Sequence, residues 1–393
     1  MRHPFYFDGF HHELEAKLSD FISKASDLWG DSNRDVVGLT KASVRAMGAH
    51  GLLRYVVPRA YGGVLEGIDS RCLALIRERL AYHSGVVDSA FAMQGLGAYP
   101  ILLGGNEEQK ERWLCPIADG SRIAGFAITE PEAGSDAAHL RASASRTSEG
   151  GYRLSGVKHL ISNAGIADYY SFFARTGPEK GHRGISAFIV EERLEGVDVS
   201  PQALMADHVI GRLELREVDL PADRRIGGEG EGFKLAMRTL NRYRPTVGAA
   251  AIGMASRALD EAVRYASTRR QFGRKLIEQQ VIRTTLAELA TELEAARLLV
   301  YQAAWIADHR EDPRGAGLGE GIKEAAMAKL HATETAWKVI DAALQLHGGI
   351  GLVQGMKVES LYREIRPLRI YEGTSEIQKL VIASEVLKSV ESA

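Results

Sequence analysis

Glu372 is the residue whose type and position best suit proton transfer. It stands in the run Tyr-Glu-Gly-Thr at residues 371–374, ahead of a helix-start pattern, Ser375 followed by Gln378. A glutamate can act as a general base when burial raises its pKa. A solvated glutamate favoured by the dipole of the following helix would have the same sequence. The residues alone leave both interpretations open.

Three further runs could contact a polar ligand. A β-rich run at residues 126–136 ends in a Gly-Ser-Asp turn, which exposes backbone N–H groups and hydroxyls. Residues 345–351 place three glycines after a helical segment, where they allow close approach of a ligand or simply end the helix. Residues 269–273, Arg-Arg-Gln-Phe-Gly, could grip a pyrophosphate or end a helix.

The order of elements predicts an α+β protein of three parts, because 393 residues exceed one compact core. Helical patterns come first, with Asn106 and Gln109 as a capping box. Short β-rich runs follow, and then long Ala/Leu-rich helical segments. This segregation disfavours an alternating Rossmann fold. We predict an N-terminal helical domain at residues 1–120, a small antiparallel β domain at 121–226 and a C-terminal four-helix bundle at 227–393.

Composition excludes several classes of partner. Lys and Arg number 49 against 51 Asp and Glu, a net charge of -2, which gives no general attraction to nucleic acid or an anionic membrane. Cys72 and Cys115 form no CxxC pair, and the adjacent His11 and His12 lack a spaced carboxylate, so we expect no metal. The glycine-rich residues 315–321 lack the Lys-Ser/Thr of a P-loop. We expect a soluble, cytoplasmic protein without a membrane span.

The motifs in their order resemble those of the acyl-CoA dehydrogenase family, over nearly the whole chain. Each motif is weak alone, but the four together with the helix-strand-helix order are specific. The resemblance implies FAD-dependent α,β-dehydrogenation of an acyl-CoA to the trans-2,3-enoyl-CoA, without a Rossmann loop. The motifs are TEPEAGSD at residues 129–136, RRQFG at 269–273, QLHGGIG at 345–351 and YEGTSEIQ at 371–378.

The resemblance also assigns site residues. Glu372 corresponds to the family's base, which removes the α proton while the flavin N5 receives the β hydride. Residues implied near the cofactor are Phe126, Ile128, Thr129, Gly134, Ser135, Ile161, Ser162, Thr374 and Glu376. Those implied near the substrate are Ser135, Asn241, Tyr243, Arg244, Tyr371 and Gly373.

Partners follow from the same resemblance. In this family the adenosine pyrophosphate of FAD is gripped by the neighbouring subunit, so a homotetramer built as a dimer of dimers is expected. Reduced flavin would pass its electrons to an electron-transfer flavoprotein. The residues implied in that grip are Arg269, Phe272, Gln280, Gln345 and Gly349.

Three alternatives stay open. The acyl group could be attached to a carrier protein, since a pantetheine-bearing carrier leaves the catalytic motifs unchanged. An oxygen-using relative of the nitroalkane-oxidase type is disfavoured because those proteins carry Asp in place of Glu372. A nucleic-acid-binding flavoprotein of the same fold would need a basic face that is not evident.

Three of the positions at which this chain departs from the family pattern bear on the site. Some relatives carry the base at the position of Tyr243, which cannot serve at neutral pH with an ordinary tyrosine pKa near 10. Asn241 stands where many relatives have Asp. Asp88 is unusual beside a plain fatty chain, and it is interpreted either as a helix cap or surface residue or as a contact for a polar acyl group.

Overall fold

The computed structural model describes residues 4–29, 35–177, 181–309 and 321–391. Of the glycine-rich segment 315–321, all but Gly321 lies outside the described residues. Gly321 takes a left-handed conformation and precedes a helix.

The described residues of the N-terminal part form five α-helices. The predicted capping box is confirmed: Asn106 Oδ1 accepts from the Gln109 N–H at 2.8 Å, and Gln109 Oε1 accepts from the Asn106 N–H at 3.0 Å. The helices are α1 Gly9–Trp29, α2 Val36–Ala49, α3 Ser70–His83, α4 Gly85–Gly104 and α5 Glu107–Ala118.

Helix α4 is a buried core helix that joins the other parts. Its N-terminus is capped by Ser84, whose hydroxyl accepts from the Val87 N–H. Among the described helices, only α4 is long and apolar enough to cross a membrane, and 83% of its most apolar stretch is buried inside the protein. It packs against the sheet on one side and against the C-terminal helices on the other. Its apolar composition is therefore explained by its place in the core.

In the middle part, the residues that the structure describes form a sheet of eight strands in the order β6-β7-β3-β2-β4-β5-β8, with β1 paired to β4. The expectation of a purely antiparallel sheet is corrected, because β4 pairs in parallel with both β1 and β2. A hairpin intervenes between β1 and β4, and this long crossover permits parallel pairing. The strands are β1 Ala124–Ala127, β2 Ser143–Arg146, β3 Tyr152–Ser162, β4 Tyr169–Arg175, β5 Ile185–Glu191, β6 Val197–Pro201, β7 Ile210–Leu220 and β8 Arg225–Ile226.

Long helices dominate the C-terminal part. The 37-residue α6 packs against α3, α7 and α8, and α10 lies along α8. The elements are α6 Gly232–Thr268, the two-strand hairpin β9 Arg270–Gln271 and β10 Arg274–Lys275, and then α7 Gln280–His309, α8 Ile322–His347, α9 Lys357–Leu368 and α10 Ser375–Glu391.

Close packing of α6 on α3 requires a glycine at position 253. A Cβ built there would lie 2.1 Å from the backbone oxygen of Glu78, well inside van der Waals contact. Gly253→Ala should therefore lower the free energy of unfolding by about 1–3 kcal/mol, the usual cost of overpacking. Chemical denaturation measures this change.

The matched control is Gly38→Ala at an exposed position of α2, where the nearest atom to an added Cβ is 3.7 Å away. There alanine should stabilise the helix by about 0.5–1 kcal/mol. Equal effects of the two substitutions would contradict this account of the α3–α6 contact.

Candidate active site

Glu372 lies in the turn between α9 and α10 and has a left-handed backbone conformation. Its φ is 53°, and that of Gly373 is 93°. Glycine adopts this region freely, but a glutamate does so at a cost of about 1–3 kcal/mol. The turn therefore persists because neighbouring groups hold it.

Side chains from three helices hold the carbonyl groups of this turn. The Glu372 carbonyl accepts from Arg244 Nε and from Gln378 Nε2, both at 3.2 Å. The Gly373 carbonyl accepts from Gln378 Nε2 at 3.0 Å and from Lys329 Nζ at 2.8 Å. Because these donors are buried, the peptide units around Glu372 have little freedom to rotate.

The predicted Ser375–Gln378 capping box does not form. Thr374 caps α10 instead, and its hydroxyl accepts from the Ile377 N–H at 3.3 Å. Ser375 donates to Glu334, and the Gln378 amide turns back to the Glu372 turn. Gln378 is used to fix the turn, so its side chain is unavailable to cap the helix.

Glu372 is half-buried at the cavity wall, and its buried Oε2 atom has no hydrogen-bond partner in the described part of the chain. Burial raises its pKa above the ordinary glutamate value, and the cations Arg77, Arg244 and Lys329 oppose that rise. Burial also lowers the pKa of Lys329 to about 8. An unpaired carboxylate with a raised pKa is a stronger base than one in water.

A cavity of about 1060 Å³ lies beside Glu372, between the sheet, α4 and the C-terminal helices. Most of the predicted site residues line it. These are Phe126, Ile128, Thr129, Gly134, Ser135, Ile161, Ser162, Asn241, Arg244, Tyr371, Glu372, Gly373 and Thr374.

Ion pairing anchors the TEPEAGSD turn at the cavity wall. Glu130 accepts from the backbone N–H groups of Arg141 and Ala142 at 2.6 and 2.9 Å. Its Oε1 atom also lies 2.8 Å from Nζ of Lys158, which is fully buried. The Gly-Ser pair that follows is left open to the cavity, since a Cβ built at Gly134 would meet nothing within 4 Å.

Tyr243 is not brought to the cavity, contrary to its assignment near the substrate. Its side chain is fully buried, and it packs edge-on against Tyr99. Its hydroxyl sits against Gly95, where a Cβ would come within 2.1 Å. Burial raises the pKa of Tyr243 further above its ordinary value, so it cannot act as a base at neutral pH.

Six other predicted residues lie away from the cavity walls. Phe272 is 93% exposed and has a φ of 51°, which presents its ring to solvent at the tip of the β9–β10 hairpin. Glu376 is exposed in the first turn of α10. The other four, Arg269, Gln280, Gln345 and Gly349, are also exposed.

Asp88 fits neither of its two predicted roles. It lies in the first turn of α4, is 1% exposed and accepts from Arg77 Nε and Nη2 at 2.9 and 2.7 Å. Arg77 itself lines the cavity, and its Nη1 donates to Thr246 at 3.0 Å. The negative charge of Asp88 thus compensates a cation close to Glu372.

Sequence reasoning missed the residues that act on the predicted site from other elements: Arg77, Lys329 and His208. His208 Nε2 lies 2.7 Å from Ser162 Oγ at the cavity wall, and burial lowers the pKa of His208 to about 4. A charge within an otherwise apolar helix start, as at Asp88, signals a buried partner but does not identify Arg77.

One group of possible metal ligands, His11, Asp69 and Cys72, occurs within the described ranges. Its donor atoms are already used: His11 Nε2 bonds Asp69 Oδ1 at 3.1 Å, and His11 Nδ1 accepts from the Asp8 N–H. Arg71 Nη2 lies 2.8 Å from Asp69 Oδ2 and would repel a metal cation. The cluster is explained as a structural network.

The cavity suits a flat heteroaromatic cofactor next to an acyl chain. Phe126, Ile128, Leu160 and Ile161 give it apolar walls. Hydroxyls at Thr129, Ser135 and Ser162 supply the few polar contacts that fix a ring in place.

Models of a known family match most of the chain, in three consecutive parts. The acyl-CoA dehydrogenase N-terminal domain matches residues 11–121, the middle domain 125–218 and the C-terminal domain 230–387. The chain belongs to the acyl-CoA dehydrogenase family. This FAD-dependent family contains oxidoreductases that act on CH–CH groups, and the predicted fold, enzyme class and cofactor are confirmed.

Relatives of this chain are similar to it over most of their length. An acyl-CoA dehydrogenase of Bacillus subtilis is 41% identical over 88% of this chain and 89% of its own. A 3-(aryl)acrylate reductase of Clostridium sporogenes is 38% identical over 96% and 98%. The CarC subunit of a caffeyl-CoA reductase-Etf complex of Acetobacterium woodii is 38% identical over 87% and 88%.

Solved structures of the family share the fold. Butyryl-CoA dehydrogenase of Megasphaera elsdenii superposes with a TM-score of 0.87 at 32% identity, covering 97% of this chain and 99% of that one. A prolyl acyl carrier protein oxidase gives a TM-score of 0.85 at 28% identity, covering 97% and 99%.

Replacing the buried carboxyl of Glu372 should change stability in a pH-dependent way. The folded-state pKa is raised, so the folded protein binds the proton more tightly than the unfolded chain. The contribution of the Glu372 carboxyl group to the free energy of unfolding is therefore greatest at low pH. It is lost as the pH rises from the pKa of this group in the unfolded chain to its pKa in the folded protein. Glu372→Gln should be more stable than the wild type at pH 8, with the difference vanishing near pH 4.

Thermal unfolding of both proteins across this pH range measures the difference. Glu376→Gln is the control, because hydrogen bonding lowers the pKa of this exposed carboxyl and its loss brings no gain at pH 8. A Glu372→Gln protein less stable than wild type at pH 8 would contradict the raised pKa.

Proposed function

We propose that this protein catalyses the α,β-dehydrogenation of an acyl-CoA thioester to the trans-2,3-enoyl-CoA, with Glu372 as the base that removes the α proton. The observation that carries the proposal is the buried, unpartnered carboxyl oxygen of Glu372 beside the cavity. Bound FAD supplies the acceptor of the β hydride at its N5 atom.

The backbone of Glu372 offers a second function. A carboxylate alone is too weak to ionise an acyl α carbon, so the developing enolate needs a hydrogen-bond donor. The neighbouring N–H groups of Tyr371 and Ser375 donate to the carbonyls of Pro367 and Arg369. The N–H of Glu372 has no such acceptor in the part of the chain that the structure describes. It is free to donate to the thioester carbonyl beside the carboxylate that accepts the proton. 

Arg244 positions this donor. Its Nε holds the Glu372 carbonyl, and its Nη1 is hydrogen-bonded to Asn241, which lines the cavity. Asn241 therefore orients Arg244 in the place where many relatives have Asp. A lysine at position 244 would lack the second planar donor and could not make both contacts.

The proposed cofactor contacts fall into two sets. Residues of the TEPEAGSD turn, with Ile161 and Ser162, line the cavity and would hold the flavin ring. Arg269, Phe272, Gln280, Gln345 and Gly349 are exposed and would grip the pyrophosphate of a neighbouring subunit's FAD. Exposure of an aromatic ring such as Phe272 is costly in a monomer, which supports the proposed homotetramer.

The acceptor and the form of the acyl group are further proposals. An electron-transfer flavoprotein as acceptor is supported by the relative that is a subunit of a caffeyl-CoA reductase-Etf complex. A carrier-bound acyl group is the second candidate, supported by the similar prolyl acyl carrier protein oxidase.

Two relatives are named as reductases, and in that direction the Glu372 carboxyl would return the proton to the α carbon. A cytoplasmic location stays a prediction.

Anaerobic bleaching of the bound flavin tests the proposed reaction. Glu372→Gln should retain FAD but reduce it with acyl-CoA at least about 10²–10⁴-fold more slowly, because the general base is lost. Stopped-flow absorbance with a panel of acyl-CoAs and carrier-bound acyl groups measures the rates. Glu108→Gln, at an exposed position of α5 away from the cavity, is the matched control. Wild-type rates in the Glu372→Gln protein would assign the base elsewhere.

A further inference from the structure

One face of α4 forms the cavity wall away from the sheet, and its chemistry changes along its length. The cavity-lining residues are Gly85, Ser89, Ala92, Met93 and Leu96, whose spacing of four, three, one and three residues places them on one helical face. The C-terminal three are apolar. The first two turns, by contrast, bring the Ser89 hydroxyl and, beside Gly85, a carboxyl group to the cavity.

That carboxyl belongs to Glu364 on α9. Its Oε1 accepts from Ser360 Oγ at 2.6 Å, whereas its buried Oε2 has no partner among the described residues. A Cβ built at Gly85 would lie 2.7 Å from Oε2, so the carboxyl occupies the space that the glycine leaves open. Buried polar atoms are rarely left unsatisfied, and one at a cavity wall is explained by a ligand that donates to it.

Glu364 and Glu372 are the two carboxyl groups with a buried, unpartnered oxygen among the side chains that the structure describes, and both line this cavity. The proposed reaction uses Glu372 and gives Glu364 no role. Burial raises the pKa of Glu364, as it does for Glu372. Lys357 and Arg363 oppose this rise and Asp207 adds to it.

Ser89 supplies the complementary group. It lies one turn after Gly85, about 6 Å along the helix axis, and its side chain is partly exposed at the cavity. Its hydroxyl makes no hydrogen bond with other described residues. It can donate one hydrogen bond and accept others.

Charge at this end of the cavity disfavours an anionic ligand. The guanidinium of Arg77 is engaged at three nitrogens, twice by Asp88 and once by Thr246, and Asp88 matches its charge. The Lys357 ammonium group donates to the His83 carbonyl at 3.2 Å. Asp207, which also lines the cavity, would repel a terminal carboxylate.

The geometry points to a substrate whose acyl group carries a hydroxyl at the end remote from the thioester, bound by Glu364 and Ser89. A hydroxyl is the neutral group that can donate to the free Glu364 oxygen and accept from Ser89 at once. The apolar Ala92, Met93 and Leu96 then contact the carbon skeleton between the two polar ends. This inference rests on the proposed function, and it makes Glu364 and Ser89 specificity-determining residues.

The test compares pairs of acyl-CoAs that differ only in a terminal hydroxyl, at several skeleton lengths, both aliphatic and aromatic. For the wild type, kcat/KM for the best hydroxylated member should exceed that of its unsubstituted partner by about tenfold, the effect of one good hydrogen bond. Glu364→Leu and Ser89→Ala should each bring this ratio close to one. Glu359→Gln, on the same helix but paired with Arg363 and absent from the cavity wall, should keep the wild-type ratio.

Each outcome has a separate meaning. A wild-type ratio near one at every length, with the flavin still reduced by acyl-CoA, overturns this inference and leaves the proposed function standing. Failure of every acyl-CoA to reduce the flavin overturns the proposed function itself. A stronger preference for a terminal ammonium or carboxylate group also overturns the inference. If Glu364→Leu fails to fold, as flavin content and unfolding temperature reveal, the smaller change Ser89→Ala decides.

Discussion

Burial of the Glu372 carboxyl group without a hydrogen-bond partner is the constraint on which the rest of the site depends. In water such a group would be solvated and weakly basic, and in a dry cavity its charged form is destabilised. Arg77, Arg244 and Lys329 oppose that destabilisation without pairing directly with the unpartnered oxygen. The cations therefore keep the charged form accessible, while burial preserves its basicity. 

The site also depends on the rigidity of the turn at residues 372 and 373. A glutamate with a φ of 53° would relax if its peptide units were free. Arg244 from α6, Lys329 from α8 and Gln378 from α10 hold the carbonyls of residues 372 and 373. The helices of the C-terminal part thus fix the carboxylate and leave the Glu372 N–H available. The close packing of α6 on α3 brings Arg77 near the same carboxylate. Fold and chemistry are linked through these few buried donors.

The sequence predicts two kinds of feature: local structure set by neighbouring residues, and features indicated by several motifs together. The Asn106 capping box depends on residues three apart, and it is confirmed. The Ser375–Gln378 pair matches the same local pattern, but Ser375 bonds Glu334 on α8 and Gln378 bonds the carbonyls of the preceding turn. No spacing rule pairs Arg77 with Asp88 or brings Glu364 to Gly85, because those contacts join different helices. The family motifs predicted a role for the Glu372 turn, and the structure places that turn at the cavity wall. Tyr243, by contrast, faces the core because the register of α6 turns it away from the cavity.

The most direct measurement of the central claim is exchange of the α hydrogens of a bound acyl-CoA with D2O, followed by NMR or mass spectrometry under anaerobic conditions. Exchange reports proton removal by the protein without requiring net oxidation. The account predicts deuterium at the α carbon with the wild-type holoenzyme and its loss in Glu372→Gln at equal FAD content. Equal deuterium incorporation by the two proteins would contradict the assignment of Glu372 as the base.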